Sequence, residues 1–146
     1  MNTFEFVTDT ATMCIYDLGT LKHRLNDTAD WWSIRAEEML EVNKGNIAFV
    51  NLGSDGKFIV DTDSGLGSEG WLKCNLRIPS GRVFVGAAEE VTGDGLEPEC
   101  IRGGRFLQVT PGTYVLSIGR ANGRICMELK LSDGPSDNSL SAPLRI

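Results

Sequence analysis

Residues 113–131 constrain this chain more than any other stretch, because their turn chemistry and their apolar pattern select the same structure. Asn122-Gly123 suits a two-residue type I′ hairpin loop, in which both central residues take positive φ. That loop sets Tyr114 opposite Leu131, Leu116 opposite Leu129 and Ile118 opposite Met127, and all three pairs are apolar. The other face carries Val115, Ser117 and Gly119 against Lys130, Glu128 and Cys126. A slip of one residue would turn every side chain to the wrong face and mix the two sets. The predicted hairpin therefore lays one face on a core and turns the other outward.

The same alternation recurs along the chain. Ser54-Asp55-Gly56 predicts a three-residue loop within 47–61, with Leu52 opposite Phe58 and Val50 opposite Val60. Within 71–87, Leu72, Cys74, Leu76 and Ile78 alternate with polar residues, and Val83, Val85 and Ala87 answer them beyond a Ser80-Gly81 turn. Strands are also predicted at 4–7, 11–16 and 105–109, and Pro111-Gly112 turns the chain into the final hairpin. Asp17 is placed to N-cap a short helix carrying Leu18, Leu21 and Leu25. Ser33 is placed to cap a second from Ile34 to about Lys44, with Glu37 and Glu38 in its first turns and Gly45 as its stop. About nine strands and two short helices near the N-terminus predict a mainly β fold, an antiparallel β-sandwich. One domain is expected over 1–131, with 132–146 as a C-terminal tail. Residues 62–70, 92–104 and the tail from 132 are expected to be flexible, being rich in Gly, Ser, Asp or Pro.

Composition narrows the function classes. A chain of 146 residues can bury a core without metal or disulfide. The net charge of −6 argues against a nucleic-acid binder, whose contact face must be basic. The first residues lack a basic start followed by an apolar run, and no stretch approaches about 18 consecutive apolar residues, so neither a secretory signal nor a membrane span is expected. Cys14, Cys74, Cys100 and Cys126 form no CxxC pair and read as reduced thiols of a cytoplasmic protein. Cys100, near Arg102 and Arg105, is the thiol best placed for exposure and reactivity.

Catalytic repertoire is scarce. His23 is the single histidine, which removes most arrangements in which Ser or Cys is activated by a base. No glycine pattern cradles a phosphate. Asp61-Thr62-Asp63-Ser64-Gly65 opens like a calcium loop, but Leu66 stands where that loop needs Gly and Leu72 where it needs Glu. The chain is read as a non-enzyme with no cofactor and no metal. Its most informative pair is Trp31-Trp32, since two neighbouring tryptophans before a helix cannot easily share one core, and tryptophan is enriched at binding hot spots. Asp27, Asp30, Glu37, Glu38 and Glu41 surround the pair with negative charge, and Trp31, Trp32, Asp30, Glu37 and Glu38 form the candidate binding surface.

Thr8-Asp9-Thr10-Ala11 opening a strand, Asp30-Trp31-Trp32 after a short helix, and Pro111-Gly112-Thr113-Tyr114 entering the last hairpin together resemble an uncharacterised family of small single-domain bacterial proteins. In size and acidity such proteins are similar to immunity proteins, which neutralise a toxin by occluding it. The acidic surface, the Trp pair and the scarce catalytic repertoire predict a non-enzymatic protein-binding domain with a protein partner, and the likeness in size and charge implies an immunity-type inhibitor of a bacterial toxin. It carries over no catalytic residue. The competing reading is a small-ligand or carbohydrate-binding sandwich that uses Trp31, Trp32 or Trp71 as a stacking platform.

Overall fold

The computed structural model describes residues 2–24, 27–28, 30–63, 71–91, 98 and 100–146. Among them the strands are β1 (Thr3–Thr8), β2 (Thr12–Asp17), β3 (Ala48–Asn51), β4 (Gly56–Asp61), β5 (Leu72–Ile78), β6 (Arg82–Ala87), β7 (Arg105–Gln108), β8 (Gly112–Ala121), β9 (Arg124–Leu131) and β10 (Leu144–Arg145). The helix α1 (Arg35–Asn43) follows 3₁₀ turns at Lys22–Arg24 and Trp31–Ser33, and another lies at Ala88–Glu90.

The β8–β9 hairpin forms in the predicted register, with Leu116 opposite Leu129 and Ile118 opposite Met127. Asn122 and Gly123 take φ of 55° and 74°, as the type I′ loop requires. This hairpin sits inside a sheet of order β1-β4-β9-β8-β5, and a second sheet runs β10-β3-β2-β6-β7. One core lies between them, with Phe6, Val60, Leu76, Leu116 and Ile118 from the first sheet meeting Met13, Ile15, Val50, Val83 and Val85 from the second.

The wholly antiparallel arrangement expected from the sequence does not form. β4 runs parallel to β9 and β10 parallel to β3, each pairing over two residues. Two of the three predicted hairpins are corrected for a related reason. β3 pairs with β2 while β4 pairs with β1, and β5 pairs with β8 while β6 pairs with β2 and β7. The links 52–55 and 79–81 are arches that carry the chain from one sheet to the other. The apolar residues still face each other, across the core instead of along a ladder. Alternation says which side chains point inward; it does not say which strand donates the hydrogen bonds.

Asp17 does not cap a helix. Its buried carboxylate accepts from the amides of Gly19, Ser80 and Gly81 and from the Ser80 hydroxyl, plugging the β5–β6 arch. Of the predicted first helix there remains the 3₁₀ turn at Lys22–Arg24, and Leu25 lies outside the described residues. α1 starts one residue later than predicted, capped by Ile34 without a side-chain bond, because the Ser33 hydroxyl donates to the Asp30 carbonyl instead. Its end is as predicted. Gly45 takes φ of 76°, with its amide bonded to Val42 O and that of Asn46 to Glu41 O, a Schellman motif. A β-carbon on Gly45 would also collide with the Ser136 carbonyl.

α1 and the Trp31–Ser33 turn cover the outer face of the second sheet, where Trp31, Met39 and Val42 bury Cys14, Tyr16, Phe49 and Phe84. β2 is therefore buried along its whole length. Residues 132–146 leave β9 and return to this sheet, where Leu140, Leu144 and Ile146 pack on the core.

Candidate functional site

The Trp31–Ser33 turn presents its two indoles to a single ring. Trp31 meets Phe49 edge-on at 6.2 Å and 70°, while Trp32 stacks on it at 5.8 Å and 23°. The adjacent tryptophans thus share a core residue from two sides. Trp31 is buried, with the Arg24 guanidinium 4.5 Å from its ring centroid. Its Nε1–H has no acceptor among the described residues. Trp32 is half-buried and keeps part of its ring at the surface.

Behind this turn, the carboxylates of α1 have different fates. Glu41 is buried and accepts from His23 at 2.8 Å, Arg24 at 3.0 Å and Asn46 at 2.7 Å. Burial pushes its carboxyl up, but those hydrogen bonds and the nearby positive charge outweigh it and hold Glu41 below the usual carboxylate range. Arg24 extends the network to Asp27 at 2.9 Å and to Glu37 at 3.1 Å. Glu37, whose side chain is 42% exposed, is thereby paired with Arg24 at the surface. Glu38 has a single partner among the described residues, Arg35 Nε at 3.3 Å. Burial raises its carboxyl despite Arg35.

Glu38 and Trp32 share a cleft of about 220 Å³, lined also by Thr12, Ser33, Arg35 and Asn51. Of the five sequence-predicted residues, the structure brings Trp32 and Glu38 together there. Trp31 lies beneath the surface, Glu37 faces Arg24, and Asp30 is exposed at the start of the turn.

Sequence reasoning missed the exposed apolar residues. Ile34, the N-cap of α1, is 56% exposed, and Leu40, six residues further along, is 46% exposed. A second group lies beside the first sheet, where Val7 and the 78%-exposed Ile101 line a cleft of about 560 Å³ with Glu5, Lys57 and Arg102. Period-2 reading of 3–7 could have found Val7, since Phe4 and Phe6 claim the inward face.

Cys14, Cys74 and Cys126 are buried, and burial pushes the Cys74 thiol up to about 12. Cys100, expected to be the reactive thiol, is half-buried. Burial and the nearby Glu90 carboxylate raise it against the pull of Arg82, so its thiolate is disfavoured. Among the described residues no three His, Cys, Asp or Glu side chains gather into a metal-binding group, and no helix is long and apolar enough to cross a membrane.

No curated protein matches the chain. Among solved structures it is similar to one described as "Crocagin biosynthetic gene J", at 12% identity and TM-score 0.53, covering 90% of this chain and 97% of that one. It is also similar to ComJ from Bacillus subtilis, described as an inhibitor of the DNA-degrading activity of NucA, at 9% identity and TM-score 0.44 over 90% and 96% of the two chains. At such identity the first likeness is one of fold alone. The family whose model matches covers residues 1–146, and the chain belongs to it: a family of unknown function, DUF6386.

Proposed function

We propose that the protein is a non-enzymatic protein-binding domain that meets a basic protein partner through the outer face of α1. The exposure of Ile34 and Leu40 carries this reading. Large apolar side chains set among charged residues are the usual anatomy of an interface, with anchors at the centre and a polar rim. The rim here holds Asp30, Glu37 and Trp32, and the net charge of −6 steers a basic partner toward the molecule. Occluding a bacterial toxin, as an immunity-type inhibitor does, is the role such a surface fits. In this reading the protein works in the bacterial cytoplasm, where its four thiols stay reduced. The Trp32 cleft, at about 220 Å³, falls below the roughly 300–1,000 Å³ of a drug-sized ligand pocket, and Trp31 has no open face for a sugar.

Capture from a native bacterial lysate tests the proposal, with wild-type protein compared against Ile34→Ser/Leu40→Ser and Val7→Ser/Ile101→Ser. Exposed substitutions change stability little, about 0.5 kcal/mol each, so all three proteins should melt within a few degrees of one another. The α1 variant should lose the partner while the other retains it. Undiminished capture by the α1 variant overturns the surface. A captured partner whose activity is unchanged by a stoichiometric amount of this protein overturns the inhibitor role.

A further inference from the structure

We propose that the cleft between Trp32 and α1 is a socket for one arginine side chain of the partner. The inference rests on the protein-binding reading above and names the chemistry of that contact.

Beside Arg35, Pro143 and the Asn51 amide N–H groups, the polar lining of the cleft offers acceptors. The Thr12 hydroxyl donates to the Thr10 carbonyl at 2.9 Å and the Ser33 hydroxyl to the Asp30 carbonyl at 2.7 Å. Their hydrogens are therefore already committed, and each keeps lone pairs to offer. Asn51 Oδ1 accepts from the Gly53 amide at 2.8 Å and retains a second lone pair. Glu38 adds a carboxylate whose side chain is only 10% exposed. A guanidinium matches such a wall, since it carries five N–H donors and no acceptor.

The aromatic wall suits the same group. One face of the Trp32 indole is stacked on Phe49, so the part of the ring that meets the cleft is its remaining face or edge. Over the free face of the ring a planar cation gains by stacking. The volume of about 220 Å³ suits one long side chain.

Arg35 occupies the position weakly. Its contact with Glu38 is a single one at 3.3 Å, and its side chain is 65% exposed. An incoming guanidinium can form two parallel bonds to the carboxylate, while Arg35 returns to water at little cost. The buried Glu38 carboxyl, raised by desolvation, gains from a second cation more than a solvated one would.

Titration of the whole chain with blocked tetra-arginine, tetra-lysine and tetra-citrulline peptides, followed by the Trp32 indole N–H resonance, tests the socket. Tetra-arginine should move that resonance saturably and bind at least tenfold more tightly than tetra-citrulline, with tetra-lysine between them. Glu38→Gln should weaken tetra-arginine at least tenfold, and Arg35→Gln should strengthen it. Glu128→Gln removes the same charge from an exposed position on β9 and should change binding less than twofold. Equal weakening by Glu38→Gln and Glu128→Gln overturns the socket in favour of diffuse attraction to an acidic surface. Spermidine binding as tightly as tetra-arginine overturns it in favour of a free polyamine. Melting curves of Glu38→Gln confirm that any loss is not unfolding. The peptide needs no partner, so the two proposals fail separately. Lost capture by the α1 variant without peptide binding removes the socket alone, and peptide binding at Trp32 with unaffected capture removes the α1 surface.

Discussion

Glu38 and Glu41 stand three residues apart on α1, both buried, and the fold treats them in opposite ways. Glu41 is held below the carboxylate range by Asn46, His23 and Arg24. A depressed folded-state value adds stability above the unfolded value of about 4.3 and loses it as pH falls through the folded one. Glu41→Gln should therefore cost about 1–3 kcal/mol near neutral pH, with the deficit shrinking in acid. Glu38 is raised by burial, so its ionisation opposes folding above its folded-state value and is without effect below the unfolded one. Glu38→Gln should be neutral or stabilising near neutral pH and match the wild type in acid. Thermal melts of both variants across pH check the opposite signs; the same sign for both would refute the account. Nothing in the residue letters separates these two glutamates. The difference comes from Asn46 beyond the helix end and from Arg24 before its start.

At the level of elements, the hairpin is where local rules suffice. Leu116 is wholly buried on β8, whereas its partner Leu129 is only partly buried near the open end. Leu116→Ala should cost about 2–5 kcal/mol and Leu129→Ala less than half of that, measured by urea unfolding. Equal costs would mean that the hairpin is not seated in the core as described. The arches show the opposite case. A tight turn between two alternating strands looks alike whether the second strand turns beside the first or crosses to the facing sheet. At 79–81 the choice is visible in Asp17, which lies more than sixty residues away in sequence and satisfies the arch amides. In the sequence that side chain reads as a helix cap, since an Asp before a short apolar run has the same signature in both settings.

Across the whole molecule, residues 132–146 tie the layers together. Asn138 donates through its side chain to Val42 O and Asn75 O, both at 2.9 Å, and accepts from the Asn75 amide at 2.7 Å. Its own amide donates to Asn43 O at 2.8 Å. One side chain therefore caps the end of α1 and covers the free edge of β5. Asn138→Ala should cost about 1–3 kcal/mol by leaving these groups without partners, and should speed amide exchange at Asn75 as well as lower the melting temperature. Unchanged exchange at Asn75 would show that the edge does not depend on this contact. By itself the sequence determined the β8–β9 register, the inward faces of the strands and the glycine stop of α1. All three rest on backbone geometry and side-chain period within a few residues. It also marked Trp32 and Glu38 by residue type. Tertiary structure alone decided which sheet each strand joins and that Glu37 answers Arg24 while Glu38 faces a cleft. These outcomes depend on contacts between residues tens of positions apart, such as β1 with β4 and β2 with β6, whose pairing no local pattern encodes.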